Sequence, residues 1–322
     1  MLQISEIIEL IENELIRIRL PQQPSGLYAP VSYMLSIGGK RIRPALSLMA
    51  SNLFSDDVKP FINTALAMEV FHNFTLMHDD IMDEAPIRRG KQSVHEKWNL
   101  NTAILSGDAM LVKAYELLSE SKSNQFGEIL NQFNQTAAKV CEGQQLDVDF
   151  EKLKEVSVAE YIDMITKKTA VLLGCSLYCG ALTAGATIPE ANTLYEAGVA
   201  AGISFQIMDD VLDVYGNDTL GKTIGGDILQ NKKTFLFVST FAAADENDRS
   251  ELISLYSNKG MDQEKIKSVV RLFDKYHVKE NAEEAMKKYF DLATEQLQQL
   301  SISENRKQIL NQFLNTVYNR TF

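Results

Sequence analysis

The chain has 322 residues, enough for one large domain or two ordinary ones. Hydrophobic residues make up 45% of it, which is ample for a buried core, and the formal net charge is −11. This negative charge argues against a general affinity for nucleic acid or for an anionic membrane surface. An anionic substrate would therefore need local basic residues or bound cations.

Helical periodicity dominates the sequence from end to end. Apolar residues recur at i, i+3, i+4 and i+7, and period-2 strands rich in Val, Ile and Thr do not appear. We expect about twelve or thirteen helices. In chain order they are 2–19, 28–37, 42–54, 58–83, 101–120, 126–147, 157–185, 190–215, 231–244, 248–257, 262–275, 278–300 and 303–319. Because no low-complexity linker interrupts the chain, we expect residues 1–322 to form a single all-α domain, a large helical bundle.

Nothing in the apolar segments predicts export or membrane insertion. The N-terminal helix contains Glu and Arg throughout and lacks the basic start and apolar stretch of a signal peptide. The uncharged stretch 170–189 is weakly hydrophobic, which favours a buried helix over a membrane span. Cys141, Cys175 and Cys179 are odd in number and lack CxxC spacing, as expected of reduced thiols. These features predict a cytoplasmic protein with no transmembrane segment.

Two acidic motifs share the form D-D-x-x-D. The first is Asp79–Asp83 and the second is Asp209–Asp213, and each follows an apolar run of helical period. The first and last carboxylates of such a motif are i and i+4, so they share one face of a helix. Crowded carboxylates either raise one another's pKa or are neutralised by a divalent cation. A single copy would indicate a solvated helix end, whereas two copies after core segments predict sites for hard cations that hold a diphosphate.

Basic residues accompany the acidic motifs at several points. The segment GGKRIRP at 38–44 contains three cations, and Arg88-Arg89-Gly90 follows the first acidic motif by one loop. Lys167-Lys168 precedes the uncharged stretch, and the Gly-rich segment after the second motif also carries lysines. Taken singly, each is a surface charge of little consequence. Taken together, they provide the bidentate Arg and point-charge Lys groups that bind phosphate. Since GxGxxG and GxxxxGK[ST] are both missing, the pattern argues against a nucleotide phosphate loop.

In order and spacing, these segments resemble those of the trans-isoprenyl diphosphate synthases, the polyprenyl synthetase family. The segments are GGKRIRP, HNFTLMHDDIMDEAPIRRG, KKTA, FQIMDDVLD, GK and GDILQNK, and they span about Gly38 to Lys233. The resemblance implies an isoprenoid-synthase-like, all-α homodimer in which both acidic motifs face a central cavity and hold about three Mg²⁺ ions. It also implies the Mg²⁺-dependent head-to-tail (1′–4) condensation of isopentenyl diphosphate with an allylic diphosphate.

The resemblance further implies roles for individual residues. The implied metal positions are Asp79, Asp83, Asp209 and Asp213. The acidic positions that support the ligands or bind through water are Asp80 and Asp210, and Asp213 matches these as well. The groups expected to bind the allylic diphosphate are Arg88, Lys168, Lys222 and Lys232. The groups expected to bind isopentenyl diphosphate are Lys40, Arg43, His72 and Arg89. Thr169 and Gln206 match polar groups near the reacting carbons.

Aromatic residues upstream of the first acidic motif bear on the length of the product. In the family, bulky residues at this position close the bottom of the tunnel that holds the growing isoprenoid tail. Phe71, Phe74 and Thr75 lie eight, five and four residues before Asp79. The two phenylalanine rings are therefore about one and a half to two helical turns before the first aspartate of the motif. This pattern resembles that of geranylgeranyl diphosphate synthases. Farnesyl diphosphate and longer polyprenyl diphosphates are the alternative products.

Two other functions share part of the pattern. A class I terpene cyclase also ionises a diphosphate at a DDxxD helix, but its second motif is normally of the Asn/Ser/Glu type. A non-catalytic partner subunit of a heteromeric synthase usually lacks intact acidic motifs. Both motifs are intact here, which favours the synthase.

Overall fold

The computed structural model describes residues 2–216, 225–257 and 263–319. Helices make up most of these ranges, as the sequence predicts. They are α1 (Ile4–Ile16), α2 (Ser25–Ser36), α3 (Ile42–Phe54), α4 (Ile62–Met82), α5 (Val94–Lys97), α6 (Leu100–Ser119), α7 (Phe126–Phe150), α8 (Val158–Ile165), α9 (Val171–Thr183), α10 (Ile188–Tyr215), α11 (Gly226–Leu229), α12 (Phe235–Ala243), α13 (Glu246–Ser257), α14 (Gln263–Lys275), α15 (Val278–Gln298) and α16 (Glu304–Tyr318). A 3₁₀ turn (Lys59–Phe61) precedes α4, and a π-helical turn (Thr166–Ala170) joins α8 to α9.

The prediction of an all-α fold is confirmed, and every predicted helix has a counterpart. The elements that the sequence did not indicate are short. Helices α5 and α11 have four residues each, too few to show a helical period. Strands β1 (Ile87–Arg88) and β2 (Lys91–Gln92) form an antiparallel hairpin of two residues a strand, too short for alternation to be visible. No helix in the described ranges is long and apolar enough to cross a bilayer.

The chain forms two compact units. The first is built from the described residues of Met1–Phe133, Cys175–Tyr195 and Ser301–Asn311, and the second from those of Asn134–Gly174, Glu196–Leu300 and Gln312–Phe322. Helices α7, α9, α10 and α16 contribute residues to both units. The assignment of residues 1–322 to one domain stays a prediction.

Helix α4 is the central element of the first unit. It packs against α3 and α6, and its residues from 64 to 71 are all buried. Its last turn is polar, with Asp79 and Asp80 followed by Asp83 at the C-cap. The buried run from 64 to 71 therefore lies in the core of the unit, and the last turn of the helix carries the first acidic motif.

In the second unit, α12 is buried along most of its length and packs against α8, α14 and α15. Side chains from α10, α12 and α14 form one hydrophobic cluster, which includes Met208, Phe237 and Phe273. This packing holds the polar end of α10, which carries the second acidic motif, against the start of α12.

The π-helical turn has a close neighbour in α7. A Cβ built on Gly143 would collide with the backbone of Lys167 and Lys168, so the two backbones approach more closely than any other residue permits. A π-turn inserts one extra residue into a helix and is found frequently at functional sites. Here it carries Lys168 and Thr169, both of which the sequence analysis singled out.

Candidate functional site

The acidic end of α4 combines partly buried and fully buried carboxylates. Asp79 and Asp83 are partly buried, whereas the side chain of Asp80 is only 1% exposed. Arg88 donates to Oδ1 of Asp80 from Nε at 2.8 Å and from Nη2 at 2.5 Å, and Nη2 also lies 3.8 Å from Oδ2 of Asp79. Burial raises the pKa of Asp80, and the guanidinium of Arg88 opposes that rise. Arg88 therefore partly neutralises the first acidic motif.

The β-hairpin positions both arginines of the RRG segment. Its two-residue turn is Arg89-Gly90, with φ of 52° and 76°, as in a type I′ turn, where glycine is favoured. Arg88, in the strand, reaches the acidic end of α4. Arg89, at the turn, donates to the carbonyl of Gly38 and lies against Gly39. The turn thus directs the guanidinium of Arg88 to the first acidic motif and that of Arg89 to the loop before α3.

A second group of cations gathers around the loop before α3. The guanidinium of Arg43 donates to Nε2 of His72, 3.0 Å away on α4, while Lys40 is exposed. Burial, followed by the charges of Arg43 and Arg89, holds the pKa of His72 well below its usual value. His72 is therefore neutral, with its ring proton on Nδ1, because Arg43 can only donate. We call this cluster of basic side chains, together with Arg89 on Gly38, the cation pocket. Its members are Lys40, Arg43, His72 and Arg89.

In the second unit, Asp210 is turned into the protein. Its Oδ2 accepts from the hydroxyl of Tyr161 at 2.5 Å and from the backbone N–H of Phe235 at 2.8 Å. Its Oδ1 accepts from Nε2 of Gln206 at 3.2 Å, and Gln206 in turn accepts from the hydroxyl of Thr169 at 3.0 Å. Burial, and next the charge of Asp227, raise the pKa of Asp210 to about 7. Asp210 thus anchors α10 and orients Gln206.

The other two aspartates of the second motif differ in their surroundings. Asp209 is partly buried on α10. Asp213 accepts the backbone N–H of Asp227 on Oδ2 at 3.1 Å, and its carbonyl accepts that of Gly225 at 2.7 Å. Asp213 therefore ties the end of α10 to the start of α11. The intervening Lys222 lies outside the described residues.

Asp147 on α7 brings two of the predicted lysines together. Its Oδ2 lies 2.5 Å from Nζ of Lys168 and 3.5 Å from Nζ of Lys232. Burial alone would raise the pKa of Asp147, but the two lysines outweigh that effect and lower it. The result is a concentration of positive charge around one buried carboxylate.

The donor chemistry of the acidic ends fits a hard divalent cation. Within the described ranges, no three His, Cys, Asp or Glu side chains gather closely enough to enclose a metal by themselves. Mg²⁺ does not require this, since it is usually held by one or two carboxylates, several waters and the phosphate oxygens of a substrate. In addition, Oδ2 of Asp80 is buried and accepts no hydrogen bond from the described residues. A cation or its water at the end of α4 would satisfy such an oxygen.

An aromatic row lies below the acidic end of α4. The ring of Phe74 is 4.9 Å from that of His78 and 5.6 Å from that of Phe71, which in turn is 5.2 Å from Phe133 on α7. Phe71 is fully buried, whereas Phe74 and Thr75 are partly buried. Phe71 is therefore a core residue, and Phe74 is the ring of this pair closer to the surface of the unit.

The structure thus groups many of the predicted residues within each unit. Those in the first unit are Lys40, Arg43, His72, Asp79, Asp80, Asp83, Arg88 and Arg89. Those described in the second unit are Lys168, Thr169, Gln206, Asp209, Asp210, Asp213 and Lys232. Sequence reasoning missed Asp147 and Tyr161, because their contacts join distant segments and have no local spacing. An acidic residue near the end of an amphipathic helix was the only available signal for Asp147.

Comparison with known proteins agrees with this pattern of residues. The model of one protein family, described as polyprenyl synthetase, matches residues 24–273, which is well over half of the chain. The chain belongs to the polyprenyl synthetase family. A geranylgeranyl pyrophosphate synthase from Geoglobus acetivorans is 34% identical to this family member over 313 residues, covering 95% of the chain and 96% of the relative. A short chain isoprenyl diphosphate synthase from Methanocaldococcus jannaschii is 40% identical over 248 residues, covering 76% of each protein.

A solved structure supports the same assignment. The crystal structure of a geranylgeranyl pyrophosphate synthase is 41% identical to this chain, covers 100% of both chains and superimposes with a TM-score of 0.94. The predicted family is therefore confirmed, and this polyprenyl synthetase is a prenyltransferase with the isoprenyl synthase fold. The roles of its individual residues are a separate question.

Proposed function

We propose that this polyprenyl synthetase condenses isopentenyl diphosphate with an allylic diphosphate, head to tail, and that its product is geranylgeranyl diphosphate. The observation that carries the proposal is the cation pocket, where Arg43 meets His72 at 3.0 Å on the helix that ends in the first acidic motif. The group that would bind a diphosphate and the group that would bind metal thus lie on the same helix, α4. Family membership and the relatives named for geranylgeranyl diphosphate support the same reaction.

The allylic diphosphate is the partner for the acidic motifs and for Arg88, Lys168, Lys222 and Lys232. Bound Mg²⁺, about three ions, would act as a Lewis acid that neutralises charge on the leaving diphosphate. Asp79, Asp83, Asp209 and Asp213 would hold it, with Asp80 and Asp210 in support. Lys168 and Lys232 now share Asp147, and a diphosphate offers them a stronger set of acceptors. Arg88 can likewise bridge between Asp80 and a phosphate oxygen.

Carbon–carbon bond formation follows from this charge distribution. The allylic C–O bond breaks, the electron pair leaves with the diphosphate, and an allylic carbocation remains. The double bond of isopentenyl diphosphate attacks that cation and forms the new carbon–carbon bond. The departed diphosphate accepts a proton from the resulting cation, which restores a double bond in a chain five carbons longer. The hydroxyl of Thr169 and the side-chain carbonyl of Gln206 are the polar groups that would face the cation. Apolar surroundings would exclude the water that otherwise traps it.

Isopentenyl diphosphate would occupy the cation pocket. Its phosphates need several fixed donors, and Arg43 and Arg89 are held in place by His72 and by the carbonyl of Gly38. Neutral His72 adds a donor without adding charge. Lys40, which is exposed, supplies an ammonium group.

Chain length would be set by Phe74, with Phe71 behind it. Both rings lie on α4 below the acidic end, and Phe71 is fixed between Phe74 and Phe133. Two fixed rings at this depth would stop a tail at moderate length, which favours geranylgeranyl over long polyprenyl products. Farnesyl diphosphate is the nearest alternative.

A homodimer is the oligomeric state we propose. On one face of α6, Ile104, Leu105 and Val112 expose between 39% and 59% of their surface, and Leu100 precedes them by a turn. The sequence did not reveal this stripe, because α6 also has a buried face of similar hydrophobicity. A second copy of the chain would cover an apolar stripe of this kind. The cytoplasmic location stays a prediction.

The decisive experiment supplies the purified protein with Mg²⁺, isopentenyl diphosphate and one of three primers: dimethylallyl, geranyl or farnesyl diphosphate. Products are identified by mass spectrometry. Elongation that ends at geranylgeranyl diphosphate supports the proposal, and elongation that ends at farnesyl diphosphate supports the reaction but not the product. Conversion of a primer without isopentenyl diphosphate would indicate a cyclase, and no conversion by the folded protein would indicate a partner subunit.

A further inference from the structure

Arg41 differs from the other cations of the GGKRIRP segment. It is only 3% exposed, whereas Lys40 is exposed and Arg43 is partly buried. Its backbone has φ of 49°, in the left-handed region that few non-glycine residues adopt. A strained, buried arginine between two candidate phosphate ligands needs a physical reason.

Three helices supply the partners of the Arg41 guanidinium. Nε donates to Oε1 of Glu12 on α1 at 2.7 Å, and Nη1 donates to Oε1 of Glu69 on α4 at 2.7 Å. Nη2 donates to the carbonyl of Leu35 in the last turn of α2 at 3.1 Å. Asn73 donates to the same oxygen of Glu69 at 3.0 Å. The guanidinium therefore fixes α1, α2 and α4 relative to the loop that begins α3.

Stability alone does not account for such a group. A buried ion pair can often be replaced by apolar residues without loss of stability, because its desolvation offsets the attraction. Its specific effect is to fix geometry. Glu69 lies three residues before His72 on α4, and Arg41 lies two residues before Arg43, so the Arg41–Glu69 pair spans the same two elements as the Arg43–His72 pair.

We propose that Arg41, Glu69 and Glu12 are positioning residues that hold the cation pocket in the geometry needed to bind isopentenyl diphosphate. Arg41 turns inward to Glu12 and Glu69, whereas Lys40 is exposed and Arg43 contacts His72. Glu12 extends this dependence to the N-terminal helix. The inference rests on the proposed function, since it assigns isopentenyl diphosphate to the pocket.

Glu12→Gln is the first variant to measure, because the Glu12 side chain is 42% exposed and its loss leaves no buried carboxylate unpaired. Glu14→Gln is the matched control, since it removes a carboxylate from the same helix whose partner is the exposed Arg17. We expect Glu12→Gln to raise the KM for isopentenyl diphosphate about threefold to tenfold. The kcat and the KM for the allylic diphosphate should stay within about twofold of the original values, as for Glu14→Gln.

Arg41→Lys provides a second, stronger test. Lysine keeps the charge but cannot present a planar fork to three acceptors, so we expect the KM for isopentenyl diphosphate to rise more than about tenfold. Calorimetric titration with isopentenyl diphosphate alone measures dissociation constants. These should rise in each variant by the same factor as the KM. Equal effects of Glu12→Gln and Glu14→Gln would overturn the inference, as would equal rises in KM for both diphosphates. If the unchanged protein bound isopentenyl diphosphate but did not elongate any primer, the proposed function would be refuted. The positioning role of Arg41 and Glu12 would then still be tested by the dissociation constants of the variants relative to that of the unchanged protein.

Discussion

At the scale of single residues, identical side chains in one motif have separate tasks. In GGKRIRP the sequence indicated three cations for phosphate, but Arg41 is buried on Glu12 and Glu69. Asp210 differs from Asp209 in the same way, because its carboxylate is occupied by Tyr161, Gln206 and Phe235. Residue type and spacing singled out these positions, and their individual roles stay predictions. Type and spacing could not predict which way each side chain turns, since the partners come from distant segments.

Phe74 offers a test of product length. We expect Phe74→Ala to lengthen the product by one or more isoprene units, because the partly buried ring next to Phe71 is removed while the core stays intact. Mass spectrometry of the products checks this. Phe126→Ala, at a partly buried ring at the start of α7, is the control and should leave the products unchanged. An unchanged product spectrum for Phe74→Ala would show that the floor lies elsewhere.

Asp79 offers a test of the acidic motif. We expect Asp79→Ala to lower turnover about 10²-fold or more, because the leaving diphosphate loses charge stabilisation, while the helical content stays unchanged. Turnover at saturating substrates and far-ultraviolet circular dichroism provide the measurements. Asp57→Ala, at an exposed aspartate before α4, is the control. Near-normal turnover of the Asp79 variant would show that the end of α4 is not part of the metal site.

Lys233 makes stability depend on pH. It is buried against the rings of Phe237 and Tyr256, and burial, followed by the charge of Lys265, lowers its pKa from 10.5 to about 8. Between these values the unfolded chain binds more protons than the folded one, so the contribution of Lys233 to the free energy of unfolding rises with pH. We expect the stability of the original protein relative to Lys233→Leu to increase from pH 7.5 to pH 10.

Urea unfolding across that range measures the effect of Lys233. Lys154→Leu is the control, because Lys154 is exposed in the same unit and its replacement should give a difference that does not vary with pH. Comparing variants removes the contributions of the other lysines and tyrosines that titrate in this range. If the difference in free energy of unfolding between the original protein and Lys233→Leu also stayed constant with pH, Lys233 would have the same pKa in the folded and unfolded states.

At the scale of elements, helical period and stop residues sufficed to place the long helices. The range 42–54 coincides with α3, and the other predicted boundaries deviate by only a few residues. The prediction failed where an element is too short to have a period, as in α5, α11 and the hairpin. It also missed the π-turn at Thr166–Ala170, since 157–185 has the pattern of one uninterrupted helix. The turn lies close to α7 at Gly143, and a contact with such a distant segment cannot be read from the local sequence.

The close approach of α7 to the π-turn can be tested at Gly143. A Cβ at this position would collide with the backbone of Lys168, so Gly143→Ala should destabilise the fold by about 1–3 kcal/mol. It should also lower turnover, because displacement of the turn moves Lys168 from Asp147 and Thr169 from Gln206. Urea unfolding and steady-state kinetics check both expectations.

Gly127 is the matched control for Gly143. It lies on the same helix with open space where a Cβ would be, so Gly127→Ala should leave turnover unchanged and stability unchanged or slightly higher. If both alanine variants behaved alike, the contact between α7 and the π-turn would have no energetic importance.

At the scale of the whole molecule, the exposed apolar face of α6 is the feature that a single chain leaves unexplained. Leu105 and Val112 are 59% and 58% exposed, and burying the remaining surface of both side chains contributes about 2–4 kcal/mol in each copy. We therefore expect Leu105→Asp to convert the proposed dimer into monomers, because a carboxylate on that face would be desolvated against the second copy. Light scattering after size-exclusion chromatography measures the mass. Leu292→Asp, at an exposed leucine on α15, is the control and should stay dimeric. A dimeric Leu105→Asp variant would place the contact between copies on another face.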